Sequence, residues 1–220
     1  MDDVWVSWSG GKDAAAALVA AQASGLRVTG LLDTETGAGA GTAGIPIHGV
    51  PHELVAAQAD ALGLPLHTVL LPAPCSNEEY TAHVRTALAA AIGVSRLVGG
   101  DIALADVRAF REAVLEGTGI AGHFPLWGRD TGALAREMID SGRRAVVVAV
   151  DPARMPGELV GHPFDAAFLA ALPAGVDPCG ENGEFHTFVT GGPGFVHDVP
   201  VAVTGTVERD GHLQAVLERG

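Results

Sequence analysis

Thirteen residues of this 220-residue chain are basic, and twelve of them are arginine. The one lysine, Lys12, stands in Ser9-Gly10-Gly11-Lys12-Asp13, after the apolar run Val4 to Trp8 and before an alanine-rich stretch. Glycines at 10 and 11 remove Cβ obstruction, so several amides can converge on one anion, and a helix N-terminus beyond them adds partial positive charge. Lys12 adds a compact ammonium that arginine does not reproduce, so its survival where lysine is otherwise replaced points to a need for that shape. The pattern suits a polyphosphate. It is not a Walker A loop, which needs glycine where this chain has Val6 and a hydroxyl residue where it has Asp13. The same spacing also fits a glycine-rich strand-helix turn with no ligand.

A second cluster runs Asp177-Pro178-Cys179-Gly180-Glu181-Asn182-Gly183-Glu184-Phe185-His186-Thr187-Phe188. Two carboxylates between glycines, with one of only two asparagines, can bind metal, amine or adenylate; a solvated acidic turn has the same composition. Asp101 follows a predicted strand end, where open α/β sheets place ligand groups and where an aspartate also caps helices. Arg108 and Arg111, spaced i and i+3, either face phosphate together or form a solvated pair. Trp127 either stacks on substrate or fills the core. His48 and His52 are split by Pro51, which should start a helix, so the pair is not read as a zinc site. Sulfur transfer would require Cys75 and Cys179 to meet, and they have no CxxC spacing.

Alternating strands and helices must position these groups. Strands are expected at Val4 to Trp8, Val28 to Leu32, Leu66 to Leu71 and Arg96 to Val98. Helices are expected at Asp13 to Ser24, at Pro51 to Leu62, and from Ser76 to Ile92, where Ser76 with Glu79 fits a capping box. Glu35 to Gly44 reads as a loop. The pattern implies an α/β fold with a parallel sheet and helices on both faces. The second half is less regular. Helices are expected at Ala105 to Glu116, Thr131 to Ser141 and Phe164 to Leu172, with a strand at Ala145 to Val150. A loop and strand run Asp177 to Val189, and a hairpin of Val201 to Val207 with His212 to Leu217 turns at Asp210-Gly211. A boundary is placed near residue 122, giving segments 1–122 and 123–220, the second a smaller α+β domain.

The first motif resembles the Ser-Gly-Gly-x-Asp-Ser loop of the PP-loop ATP pyrophosphatases, with Ala14 at the last position in place of a phosphate-binding hydroxyl. The second resembles the Cys-Gly-Glu-x-Gly-Glu-Phe-x-Thr element of the diphthine-ammonia ligase branch. Gly100-Asp101-Ile102, Arg108, Arg111-Glu112 and Pro125-Leu126-Trp127 lie between them in the family's order. The resemblance implies an adenine nucleotide alpha-hydrolase-like, Rossmann-like ATP domain and a C-terminal domain completing the substrate cleft. It implies ATP and Mg²⁺ as cofactors, with Ser9, Gly10, Gly11, Lys12, Asp13, Asp101, Arg108 and Arg111 toward the nucleotide and Asp13 as a candidate magnesium ligand. Trp127, Gly180, Glu181, Asn182, Glu184 and Thr187 would face the substrate. Lys12, Asp13, Glu181 and Glu184 would act in catalysis.

The implied reaction adenylates a carboxylate, releases pyrophosphate and lets free ammonia displace AMP. The carboxylate is diphthine on elongation factor 2 in archaeal and eukaryotic members. A non-catalytic ATP-binding sensor of similar fold is the alternative. Acidic residues outnumber basic ones 26 to 13, for a formal net charge of −13, which argues against a nucleic-acid partner. No apolar run reaches membrane-spanning length, and cysteine usage suits a reducing cytoplasm. The edge of the terminal hairpin could pair with a second copy in a homo-oligomer.

Overall fold

A computed structural model describes residues 2–36, 44–45 and 49–220. Five strands form its parallel sheet: β1 (Asp3–Ser7), β2 (Arg27–Thr36), β5 (Leu66–Leu71), β6 (Val94–Val98) and β7 (Ala121–His123). Their pairings give the order β5-β2-β1-β6-β7. Two short antiparallel pieces, β3 (Gly44–Ile45) and β4 (Val50–Pro51), extend β2. Helices α1 (Lys12–Ala23), α2 (His52–Leu62), α3 (Asn77–Ala89) and α4 (Ala105–Leu115) connect the strands. Strand order reverses at β1 and β6, so the loops leaving their C-terminal ends flank the crevice where such sheets take ligands.

Local signals set several boundaries. Ser76 caps α3 by accepting from the Glu79 amide at 3.2 Å, while Glu79 Oε2 accepts from the Ser76 amide at 2.8 Å. Gly63, left-handed at φ 64°, closes α2. Pro51 lies just before that helix, not in its first turn. His48 and most of the expected 35–44 loop fall outside the described residues, while β2 continues to Thr36.

The second half carries α5 (Thr131–Asp140), β8 (Arg144–Val150), α6 (Ala166–Ala171), β9 (Phe185–Gly191), β10 (Val201–Arg209) and β11 (His212–Arg219). Its strands make an antiparallel sheet of order β10-β11-β8-β9. Asp210 and Gly211, at φ 51° and 77°, form the hairpin turn expected from their types. The helix expected from Phe164 starts later, because the Asp165 side chain caps it by accepting from the Phe168 amide at 2.8 Å. One apolar cluster joins the two sheets, from Val4, Val6 and Leu18 through Leu54 to Val147, Phe185, Phe188 and Leu217. Such shared burial fixes the second sheet against the C-terminal edge of the first.

Candidate active site

The loop after β1 meets β9 by direct bonds. The Gly10 carbonyl oxygen accepts from the Val189 amide at 2.9 Å and from Gln58 Nε2 at 3.0 Å. Gln58, fully buried on α2, also donates to the Val189 carbonyl at 2.6 Å and accepts from Trp8 Nε1 at 3.0 Å. Gly10 sits at φ 73°, and a Cβ there would lie 2.8 Å from Gln58 Oε1, so the turn requires glycine. Gly11 is the N-cap of α1 without a side-chain cap, and the Ser9 hydroxyl oxygen lies 3.4 Å from the Gly11 amide. The Lys12 amide donates to Thr187 Oγ1 at 3.1 Å, joining the two motifs across 175 residues.

Lys12 is 2 % exposed. Its Nζ donates to Asp13 Oδ2 at 2.9 Å and to the Cys179 carbonyl, and it lies 5.1 Å and 5.6 Å from the centres of the Phe185 and Phe164 rings. A lysine ammonium has three donors, and these bonds use two. Asp13 Oδ1 is buried with no hydrogen-bond partner among the described residues.

The 177–187 loop is organised around Glu184. That carboxylate is fully buried and accepts four bonds: from Arg154 Nη2, Asn182 Nδ2 and the Asn182 amide, each at 2.9 Å, and from the Asp177 amide at 3.3 Å. Burial alone would raise its pKa, but the donors outweigh burial and hold it below the ordinary carboxylate value. The structure places Glu184, expected among the catalytic residues, behind the cleft lining, where its bonds hold the loop together. Asn182 gives its amide and Nδ2 to Glu184 while its residue still lines the cleft. Asp177 caps the loop through the Cys179 amide at 2.8 Å and accepts from Thr131 Oγ1 at 2.7 Å. Gly180, at φ 69°, admits no Cβ, which would lie 2.7 Å from the Phe185 carbonyl oxygen.

Glu181 differs. It is half-buried, its Oε2 accepts from the Ala103 amide at 2.8 Å, and burial raises its pKa, with the Ala103 bond offsetting part and the Asp13 charge adding to the rise. Its contact with Ala103 ties this loop to the β6–α4 connection of the first sheet. Cys179 is buried, and its thiol is pushed up to about 12, chiefly by burial, so it is protonated and no nucleophile. Cys75 packs with a different apolar cluster, under α3 and α4, and both cysteines are free.

A cleft of about 680 Å³ is lined by Ser9, Gly11, Lys12 and Asp13 from one side and by Gly180, Glu181, Asn182 and Thr187 from the other. That volume lies within the usual range for small-molecule sites. Six expected residues lie apart from its walls: Gly10 and Glu184, which brace the two loops from behind, and Asp101, Arg108, Arg111 and Trp127. Asp101 accepts from Arg111 Nε at 2.9 Å, while Arg111 Nη1 donates to Ser7 Oγ at 3.3 Å, bracing the ends of β1 and β6. Asp101 does not cap α4, whose N-cap is Leu104. Arg108 donates to Glu112 at 2.9 Å and stacks 4.7 Å from the Trp127 ring and 5.0 Å from the Phe124 ring. Arg108 and Arg111 therefore answer different partners, and Trp127 packs on an arginine. Sequence reasoning missed Gln58 and Arg154; a buried-face glutamine on α2 was the one available signal for the first.

Residues 3–121 match the model of the diphthamide synthase N-terminal domain, and residues 130–215 match that of the C-terminal domain. The chain belongs to the diphthamide synthase family. This is the diphthine-ammonia ligase branch of the PP-loop proteins, and membership makes the chain an ATP-utilising protein of that type. The glycine-rich loop lies in the N-terminal match and the glutamate-rich loop in the C-terminal match, so the cleft forms where the two diphthamide synthase segments meet. Among curated proteins, none matches the chain. A solved structure described as a predicted subunit of tRNA methyltransferase from Methanocaldococcus jannaschii is similar at 17 % identity and a TM-score of 0.44, over 69 % of this chain and 78 % of that one. No described helix is long and apolar enough to cross a membrane.

Proposed function

We propose that the chain is an ATP-dependent acid–ammonia ligase that adenylates a carboxylate, releases pyrophosphate and amidates the activated acyl group with free ammonia. The observation that carries this reading is the single cleft lined by Ser9, Gly11, Lys12 and Asp13 and by Glu181 and Thr187. A carboxylate is a poor electrophile, so the protein must stabilise charge on departing pyrophosphate, align the acid with the α-phosphate and exclude water.

The loop amides, the α1 N-terminus and the remaining Lys12 proton would hold the phosphates. Asp13 fits a hard cation, because its Oδ1 is buried and receives no donor among the described residues. Asp13 would hold magnesium, which neutralises charge on the leaving pyrophosphate. Glu181, facing the cleft with a raised pKa, would take a proton from the incoming ammonium. Glu184 and Asn182 would shape the loop that presents it. Residues 1–122 would supply the nucleotide side and 123–220 the acid side, with Asp101 and Arg111 bracing the rim and Trp127 fixing Arg108.

Incubation with ATP, Mg²⁺, ammonium and a panel of carboxylates, followed by nucleotide separation, tests this reading. AMP and pyrophosphate with an ammonium-dependent amide are expected. ADP as product would overturn the assignment, and tight ATP binding without turnover on any acid would favour a sensor.

A further inference from the structure

Three ligating side chains meet on the same sheet edge, one strand away from the phosphate loop and outside the cleft walls. Asp33 and Glu35 alternate along β2 and so share a face, and His52 opens α2 beside them. One ligand atom from each lies within 4.8 Å of the other two. Both carboxylates are 1 % exposed, whereas the imidazole is 47 % exposed.

The carboxylates are poorly served by the protein. Glu35 Oε1 lies 2.6 Å from His52 Nδ1. Both Asp33 oxygens are buried, and neither reaches hydrogen-bonding geometry with any donor among the described residues, although the Thr34 amide lies near enough to ease the cost a little. Two buried carboxylates facing each other need positive charge between them, either a proton or a cation. The imidazole in the set favours a cation of borderline softness, since magnesium and calcium prefer oxygen shells.

We infer that Asp33, Glu35 and His52 form a site for a first-row divalent cation, Zn²⁺ being the probe of choice, with the exposed side of His52 as its entry. The cation would take the place of the His52–Glu35 hydrogen bond and give Asp33 its missing partner, with water completing the shell. The site joins His52 to two carboxylates of β2, and it is independent of the chemistry assigned to the cleft.

Calorimetric titration of the chelator-stripped full chain with Zn²⁺ tests it, alongside the visible spectrum of the Co²⁺ form. One tight site per chain is expected, with nitrogen and oxygen ligation and a zinc-dependent rise in Tm. His52→Ala and Asp33→Asn should each weaken binding by about tenfold or more. His52 is half-exposed, so its truncation leaves the fold intact, and Asp33→Asn removes a buried charge and should be at least as stable as the stripped parent. Zinc binding unchanged in His52→Ala places the metal elsewhere and overturns the inference. So does the absence of a tight site, which would leave a shared proton between Asp33 and Glu35.

Discussion

The cleft region and the end of β2 both bury carboxylates, one beside the antiparallel sheet and one on the parallel sheet, yet they treat them in opposite ways. Glu184 collects four donors, whereas Asp33 has none in hydrogen-bonding geometry among the described residues. A saturated carboxylate is a structural post, because its charge is already answered by the chain. An unsatisfied one is poised for something outside the chain. The cleft itself repeats the contrast over three residues: Glu184 is held below its usual pKa and turned inward, while Glu181 is raised and faces the opening.

The largest effect expected from breaking this arrangement is at Lys12. Lys12→Met keeps the buried stem and removes the ammonium, and kcat/KM for AMP formation should fall by about a hundredfold or more in a steady-state assay. Glu184→Gln should come next. It leaves Arg154 and the loop amides facing a neutral partner, and urea unfolding should show a loss of about 2 kcal/mol, with Arg154 partly exposed and so moderating the cost.

Acid and base limbs of stability should then separate the two glutamates. Glu184, lowered in the fold, adds stability that is present above its unfolded value and lost as pH falls through its folded value, below 4.5. Glu181, raised in the fold, adds stability present below its unfolded value and lost as pH rises through its folded value, above 4.5. Thermal midpoints across pH should therefore lose part of their acid dependence in Glu184→Gln and part of their fall above pH 4.5 in Glu181→Gln. The smallest effect concerns thiol labelling at pH 8: Cys75 should react in the native chain, and Cys179 only after unfolding, because it is buried and its thiol is pushed up to about 12.

What could be read from the sequence was local. The Ser76 capping box, the Asp210-Gly211 turn and the Gly63 stop each act within a few residues, so composition announces them. The Ser9 to Asp13 turn and the Asp177 to Thr187 loop were legible as chemistry, and the family resemblance brought them together. The rest depends on partners far along the chain. The three-residue strand β7 exists because it pairs with β6, and β2 runs on to Thr36 because β5 supports it. Gln58 bonds a loop residue 48 positions away and a β9 residue 131 away, Arg154 bonds a loop residue 30 away, and no periodicity signals that. Arg108 and Arg111 share a helix spacing but were parted by Trp127 on one side and Asp101 on the other.

In the proposed function the cleft activates a carboxylate by splitting ATP between its α and β phosphates. Carboxylate-dependent exchange of labelled pyrophosphate into ATP, measured without ammonia, tests that step alone. Exchange that is present in the parent chain and lost in Lys12→Met is the predicted result. Exchange unaffected by Lys12→Met, or label that never enters ATP while ADP accumulates, would contradict it.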